Sequence, residues 1–293
     1  MNKAVLGNFG SPQGHWVGDG FPVRSLFNYD RLGGQISPFL MLDYAAPTRF
    51  APADRPRGVG EHPHRGFETV TIVYQGEVAH RDSAGNSGII GPGDVQWMTA
   101  ASGVLHDEFH SPAFTRQGGT LEMAQLWVNL PAKHKMSAPR YQGILNAQIP
   151  QVMLPDGAGS VRVIAGAYAA VGGPAATFSE LNVWDLRLKG GQEVTLTLPD
   201  GHSAAIAVLR GAVVANGSRQ AKDAELVLFE PTGTEIRATA AIDSTLLMLS
   251  GAPIAESIAG YGPFVMNTRA EIETAMMDFR QGKFGRLPAL EHA

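Results

Sequence analysis

Apolar and polar positions alternate along this chain in short runs of period two, and clusters of Gly, Pro, Asn, Asp and Ser interrupt the runs every few residues. Val17 to Phe27 and Ser37 to Asp43 predict two strands joined by a glycine-rich turn at Gly33-Gly34. The stretch from Pro47 to Gly60 carries Pro, Arg and Asp without periodicity and reads as a loop. Thr69 to Tyr74 is dense in β-branched residues and fits a buried strand; Glu77 to His80 fits another, and Asp82 to Gly88 a hairpin loop. Gly91-Pro92-Gly93-Asp94 is a tight turn that launches a strand over Val95 to Thr99, and Ser102-Gly103 turns the chain into Val104-Leu105-His106. Leu121 to Leu130 is a further strand, with Met123, Gln125 and Trp127 on one face.

Lys133 to Pro139 reads as a linker, which divides the chain into an N-terminal domain, residues 1–135, and a C-terminal domain, residues 136–293. The second half echoes the first. Val208 to Val214 mirrors Val73 to Ala79, and Glu225 to Phe229 mirrors Asp94 to Met98, a weak internal duplication. Phe178 to Leu188, Glu193 to Leu198, Thr234 to Ala238 and Thr245 to Leu249 supply further strands. Only the tail changes period: Thr268 and Glu271 have capping-box spacing, and Ile272, Ala275, Met276 and Phe279 recur helically before Gly282. The expected fold class is all-β with a short C-terminal helix.

Composition agrees with that pattern. Hydrophobic residues make up 44% and charged residues 17%, as in a folded globular protein, and 35 Gly with 19 Pro supply the turns. A net charge of -4 gives no global reason to expect nucleic acid or an anionic membrane as partner. No apolar run reaches the roughly 18 residues needed to span a bilayer. With no cysteine, disulfides, thiolate nucleophiles and Cys-based zinc or iron–sulfur sites are excluded, so a metal must be held by His and carboxylate. A cytoplasmic location is the expectation.

The chemistry concentrates in His62-Pro63-His64-Arg65-Gly66-Phe67-Glu68-Thr69-Val70 and in His106-Asp107-Glu108. On a strand, residues two apart leave the same face about 6.6 Å apart, so His62 with His64, and His106 with Glu108, form two matched pairs. If the two strands meet, three imidazoles and one carboxylate converge, a mixed set suited to Fe, Mn, Ni, Cu or Zn. Between the linker and the tail the only histidine is His202, so one metal per chain is expected, in the N-terminal half.

The segments HPHRGFETV, PGDVQWMTA, GVLHDE, LWVNLP and GPFVMN, in that order, resemble the pirin family of the cupin superfamily. The resemblance covers nearly the whole chain. It implies two stacked cupin barrels (double-stranded β-helix or jelly-roll), with one metal in the N-terminal barrel held by His62, His64, His106 and Glu108. Cupins often place their carboxylate ligand four residues after the second histidine, which here makes Glu68 a reserve ligand; His110 extends the His106 and Glu108 face toward the rim.

Bacterial pirins resemble flavonol 2,3-dioxygenases of the quercetinase type. That implies a divalent ion, Fe(II) foremost with Mn, Ni, Cu or Zn as alternatives, acting on a flavonol-like aromatic and O2 with release of carbon monoxide. Glu108 is then the base that takes the 3-hydroxyl proton. Met98, Met123 and Gln125 are candidates for the substrate pocket, with core packing as the competing role. The resemblance also implies an alternative: a redox- or metal-sensing regulator that binds a transcription factor or metabolic enzyme, with the loop from Pro47 to Gly60 as the responsive surface.

Overall fold

The computed structural model describes residues 1–10 and 13–288. Strands dominate, and the chain divides into two compact units. One unit comprises residues 14–23, 45–146 and 255–288; the other comprises residues 1–10, 13, 24–44 and 147–254. Each unit therefore takes segments from both halves of the sequence.

The first unit contains the strands β1 (Gly58–His64), β2 (Phe67–Gln75), β3 (Val78–Asp82), β4 (Ser87–Ile90), β5 (Val95–Thr99), β6 (Val104–His110), β7 (Gly119–Asn129) and β8 (Arg140–Ile144). They form two antiparallel sets, β1-β6-β3-β4 and β8-β5-β2-β7. In the first set His106 stands opposite His62, and on its other side Glu108 stands opposite His80. In the second, Tyr141, Met98, Thr69 and Trp127 make one cross-strand row, and Gln96, Thr71 and Gln125 make the next. The two inner faces meet: Thr71 and Gln125 reach Glu108, and the His64 ring lies against Phe67 and Trp127. Beyond this polar chamber the space is filled by Phe21, Phe50, Val73, Val78, Phe114 and Met123.

Helix α1 (Arg269–Arg280) has the expected capping box, with both Thr268 and Glu271 bonds formed, and buries Ile272 and Ala275. The strand before it, Phe264–Met266, crosses Gly66, where φ is +90° and a Cβ would lie 2.0 Å from the Val265 carbonyl oxygen. Only glycine fits there. Lys135 pins the same strand, donating from Nζ to Gly66 O at 2.7 Å, Asn129 Oδ1 at 2.6 Å and Val265 O at 2.9 Å. A residue expected in a linker is thus a buried pillar.

The second unit repeats the strand pattern. Its sets run Val5–Gly10, Glu225–Phe229, Ser203–Arg210, Ser244–Gly251, Leu181–Leu188, Gly159–Ala165, Gln151–Met153, and Glu193–Thr197, Glu235–Ala240, Ala212–Ala215, Arg219–Lys222. Ser203–Arg210 pairs with Glu225–Phe229 as β2 pairs with β5, which is the duplication visible in the sequence. Where β1 and β6 carry histidines, the matching strands carry Val194, Leu196, Ile236 and Ala238, all in one hydrophobic core.

Two local expectations are corrected. The Gly33-Gly34 segment is a helix, Tyr29–Ile36, because Asn28 caps it by accepting from the Arg31 amide and because Leu32 and Ile36 are buried. The loop read over Pro47 to Gly60 is shorter: one strand continues to Phe50 and the next starts at Gly58.

Candidate metal centre

His62, His64 and His106 come together with ligand nitrogens all within 4.8 Å of one another. Ring centroids are 4.2 Å apart for His62 and His106, 4.8 Å for His64 and His106, and 4.9 Å for His62 and His64. The cluster follows from the two-residue repeat on β1 and the direct pairing of His62 with His106. Backbone carbonyls orient two of the rings: His62 Nδ1 lies 2.8 Å from Gly60 O, and His64 Nδ1 lies 3.3 Å from Pro263 O. With Nδ1–H donating, each Nε2 lone pair is free to ligate. Both ring nitrogens of His106 are buried without a partner among the described residues.

Burial, reinforced by His62, pushes His64 down to about 3, and burial with its three histidine neighbours holds His106 well below the ordinary value. These imidazoles are therefore neutral, the form that binds metal. Crowded, with two rings neutral and His106 without a hydrogen-bond partner among the described residues, the cluster fits a borderline divalent cation.

Glu108 falls outside that group of mutually close ligand atoms. It is 4% exposed and accepts from Thr71 Oγ1 at 3.3 Å and from Gln125 Nε2 at 3.1 Å. Burial raises its pKa, against the opposing pull of His62, Gln125 and Thr71. The reserve ligand Glu68 and the rim residue His110 are both engaged elsewhere. Glu68 stands opposite Thr99, one residue out of step with the chamber row at Thr69 and Thr71, and its Oε1 accepts from Thr99 Oγ1 at 2.7 Å. His110 Nε2 lies 3.0 Å from Gly20 O, and its ring packs against Phe21, Phe50 and Phe114.

Among the pocket candidates, Gln125 touches Glu108, Met98 joins a small cluster with Ala100, Val104 and Tyr141, and Met123 belongs to the larger apolar core. Thr71 and Phe67 went unnoticed in the sequence, although alternation along β2 puts them on the face of Thr69. His80 and Tyr141 were also missed. The Pro263 carbonyl has no sequence signal, since it arrives through a tertiary crossing.

An all-β duplicated fold with a three-histidine cluster in one half defines a two-domain cupin whose site is compatible with metal binding. Residues 20–128 match the Pirin family profile and residues 183–285 match the Pirin C-terminal cupin domain. A Pseudomonas aeruginosa protein that bears a provisional name as a quercetin 2,3-dioxygenase is 59% identical, over 97% of this chain and 99% of that one. A pirin-like protein of Caulobacter vibrioides is 38% identical over 84% of this chain and 87% of its own. A crystal structure of quercetin 2,3-dioxygenase from Acinetobacter baumannii superposes with a TM-score of 0.96 at 54% identity, covering 97% of this chain and 99% of that chain. The chain belongs to the pirin family.

No described helix is long and apolar enough to cross a membrane.

Proposed function

We propose that the protein is an O2-dependent flavonol 2,3-dioxygenase that opens the heterocycle of a quercetin-like substrate and releases carbon monoxide. The reading includes one divalent ion per chain, Fe(II) first among the candidates, held by His62, His64 and His106 with Glu108 as the fourth ligand. The observation that carries it is a cluster of three imidazoles, two of them held neutral by burial, beside a buried carboxylate of raised pKa. The names borne by the relatives from P. aeruginosa and A. baumannii support it.

A bound divalent ion would supply Lewis-acid stabilisation of the enolate that forms from the 3-hydroxyl. Glu108 takes the hydroxyl proton at a carboxylate oxygen, and its raised pKa makes it a better acceptor than an exposed glutamate. Gln125 and Thr71 hold that carboxylate in place from the opposite sheet. Phe67, Trp127 and Met98 line the chamber with apolar surface, which excludes bulk water and suits a flat aromatic molecule.

The test is aerobic incubation of the metal-loaded protein with quercetin, following loss of flavonol absorbance, O2 consumption and carbon monoxide release. Metal-dependent release of carbon monoxide is expected. Its absence across a flavonol panel would overturn the reading.

A further inference from the structure

His80 stands directly opposite Glu108, so its ring enters the chamber of the candidate metal centre. It is 4% exposed, and neither Nδ1 nor Nε2 has a hydrogen-bond partner among the described residues. A buried polar group left unpaired is costly, so a buried imidazole of this kind is suited to a hydrogen-bonding ligand. The surroundings are shaped for the ring. The Tyr141 ring lies against it, tilted by 33° with 5.1 Å between centroids, and Gly88 leaves the space open: a Cβ there would sit 3.2 Å from both His80 Cε1 and the Tyr141 hydroxyl oxygen. Neighbouring inward groups are engaged elsewhere. Asp82 accepts from the Ala84 and Asn86 amides, Glu108 is held by Thr71 and Gln125, and His110 contacts Gly20 O.

With neither ring nitrogen partnered among the described residues, the neutral imidazole offers one donor and one acceptor. That pairing discriminates. A carboxylate needs donors only and an ammonium needs acceptors only, whereas a hydroxyl uses both.

We propose that His80, backed by Tyr141, is a substrate-binding residue that hydrogen-bonds a second phenolic hydroxyl of the aromatic substrate, distinct from the hydroxyl that gives its proton to Glu108. The inference rests on the flavonol reading and deepens it: recognition is two-pointed, and hydroxylated flavonols are favoured over bare ones.

The test measures anaerobic binding of quercetin and of 3-hydroxyflavone, which carries only the first hydroxyl, to the metal-loaded wild type, His80→Leu and His80→Gln, together with metal content and KM against kcat. Wild type is expected to prefer quercetin by roughly 10- to 100-fold. His80→Leu should bring that ratio close to one while 3-hydroxyflavone affinity and metal content hold. His80→Gln, which keeps a donor and an acceptor, should restore part of it, and the loss should fall on KM more than kcat. A ratio unchanged in His80→Leu, or metal lost instead, overturns the inference. So does a wild type that binds both compounds equally, a result that needs no variant to fold. If neither quercetin nor 3-hydroxyflavone binds wild type, the flavonol reading itself falls and takes the inference with it; if quercetin binds and the ratio ignores His80, only the inference falls.

Discussion

Gln125 Nε2 donates to both carboxylate oxygens of Glu108, 3.4 Å to Oε1 and 3.1 Å to Oε2, across the chamber from the sheet that carries the histidines. Thr71, paired with Gln125 in the strand register, adds a third bond at 3.3 Å to Oε1. The carboxylate is thus aimed by one sheet while belonging to the other. Its orientation depends on both faces keeping their distance, so substitutions on either side of the chamber act on the same group.

Glu108→Gln keeps the side-chain volume and removes the proton acceptor. If Glu108 acts as base, kcat for flavonol turnover should fall roughly 10²- to 10⁴-fold. Metal content should fall less, because three imidazoles remain. Steady-state kinetics beside elemental analysis separates the two effects, and equal losses would reduce Glu108 to a ligand. Gln125→Leu should give a smaller fall in kcat, about tenfold, with metal retained.

His62→Ala and His106→Ala should each abolish stoichiometric metal binding, since the two imidazoles left, with a carboxylate that stands outside the histidine cluster, do not make a tight site for a borderline cation. Amide exchange in the strands of residues 181–251 should stay at wild-type levels, because the core there draws on its own aliphatic side chains. Full metal retention in either variant would count against the cluster.

Much of this site is legible in the sequence because strand geometry is periodic. His62, His64, His106 and Glu108 declare their faces through two-residue spacing, and the same parity along β2 separates Thr69 and Thr71 from Glu68. The duplication, too, is visible at Val208 to Val214, and the lost ligands of the second unit show as plain aliphatics. What the chain hides are contacts made by distant segments. Nothing near Pro263 signals that its carbonyl orients His64, and nothing near Lys135 signals three acceptors waiting for it. The helix Tyr29–Ile36 is masked by two glycines of low helix propensity, outweighed by a cap and by burial of Leu32 and Ile36. Nor does periodicity tell which unit the chain ends will join.

Lys135→Met keeps the aliphatic stem and removes the ammonium. The buried acceptors Gly66 O and Val265 O then lose this donor, and Asn129 Oδ1 keeps only the Leu130 amide at 3.0 Å. A destabilisation of about 2–4 kcal/mol is expected, measured by urea denaturation. Amide exchange at Val265, whose N–H bonds to Arg65 O at 3.0 Å, should accelerate first. Unchanged stability and exchange would mean that Lys135 is not the pin holding this strand.

Glu68 supplies a prediction in pH. Burial raises its carboxyl from 4.5 to about 7, against the opposing Thr99 hydrogen bond, the nearby Trp97 indole and the charge of Arg140. Between those values the folded protein keeps a proton that the unfolded chain has released, so stability falls as pH rises through this window and levels off above it. At about 1.4 kcal/mol per unit the fall is on the order of 3 kcal/mol. Glu68→Gln, neutral at every pH, should remove it: the variant's advantage over wild type should grow between pH 5 and pH 7 and then stay constant. Denaturation midpoints for both proteins, taken at half-unit steps from pH 5 to pH 8, read this directly. Two curves that run parallel would show that Glu68 ionises in the folded state as easily as in the unfolded one, and that the Thr99 hydroxyl, 2.7 Å away, offsets its burial.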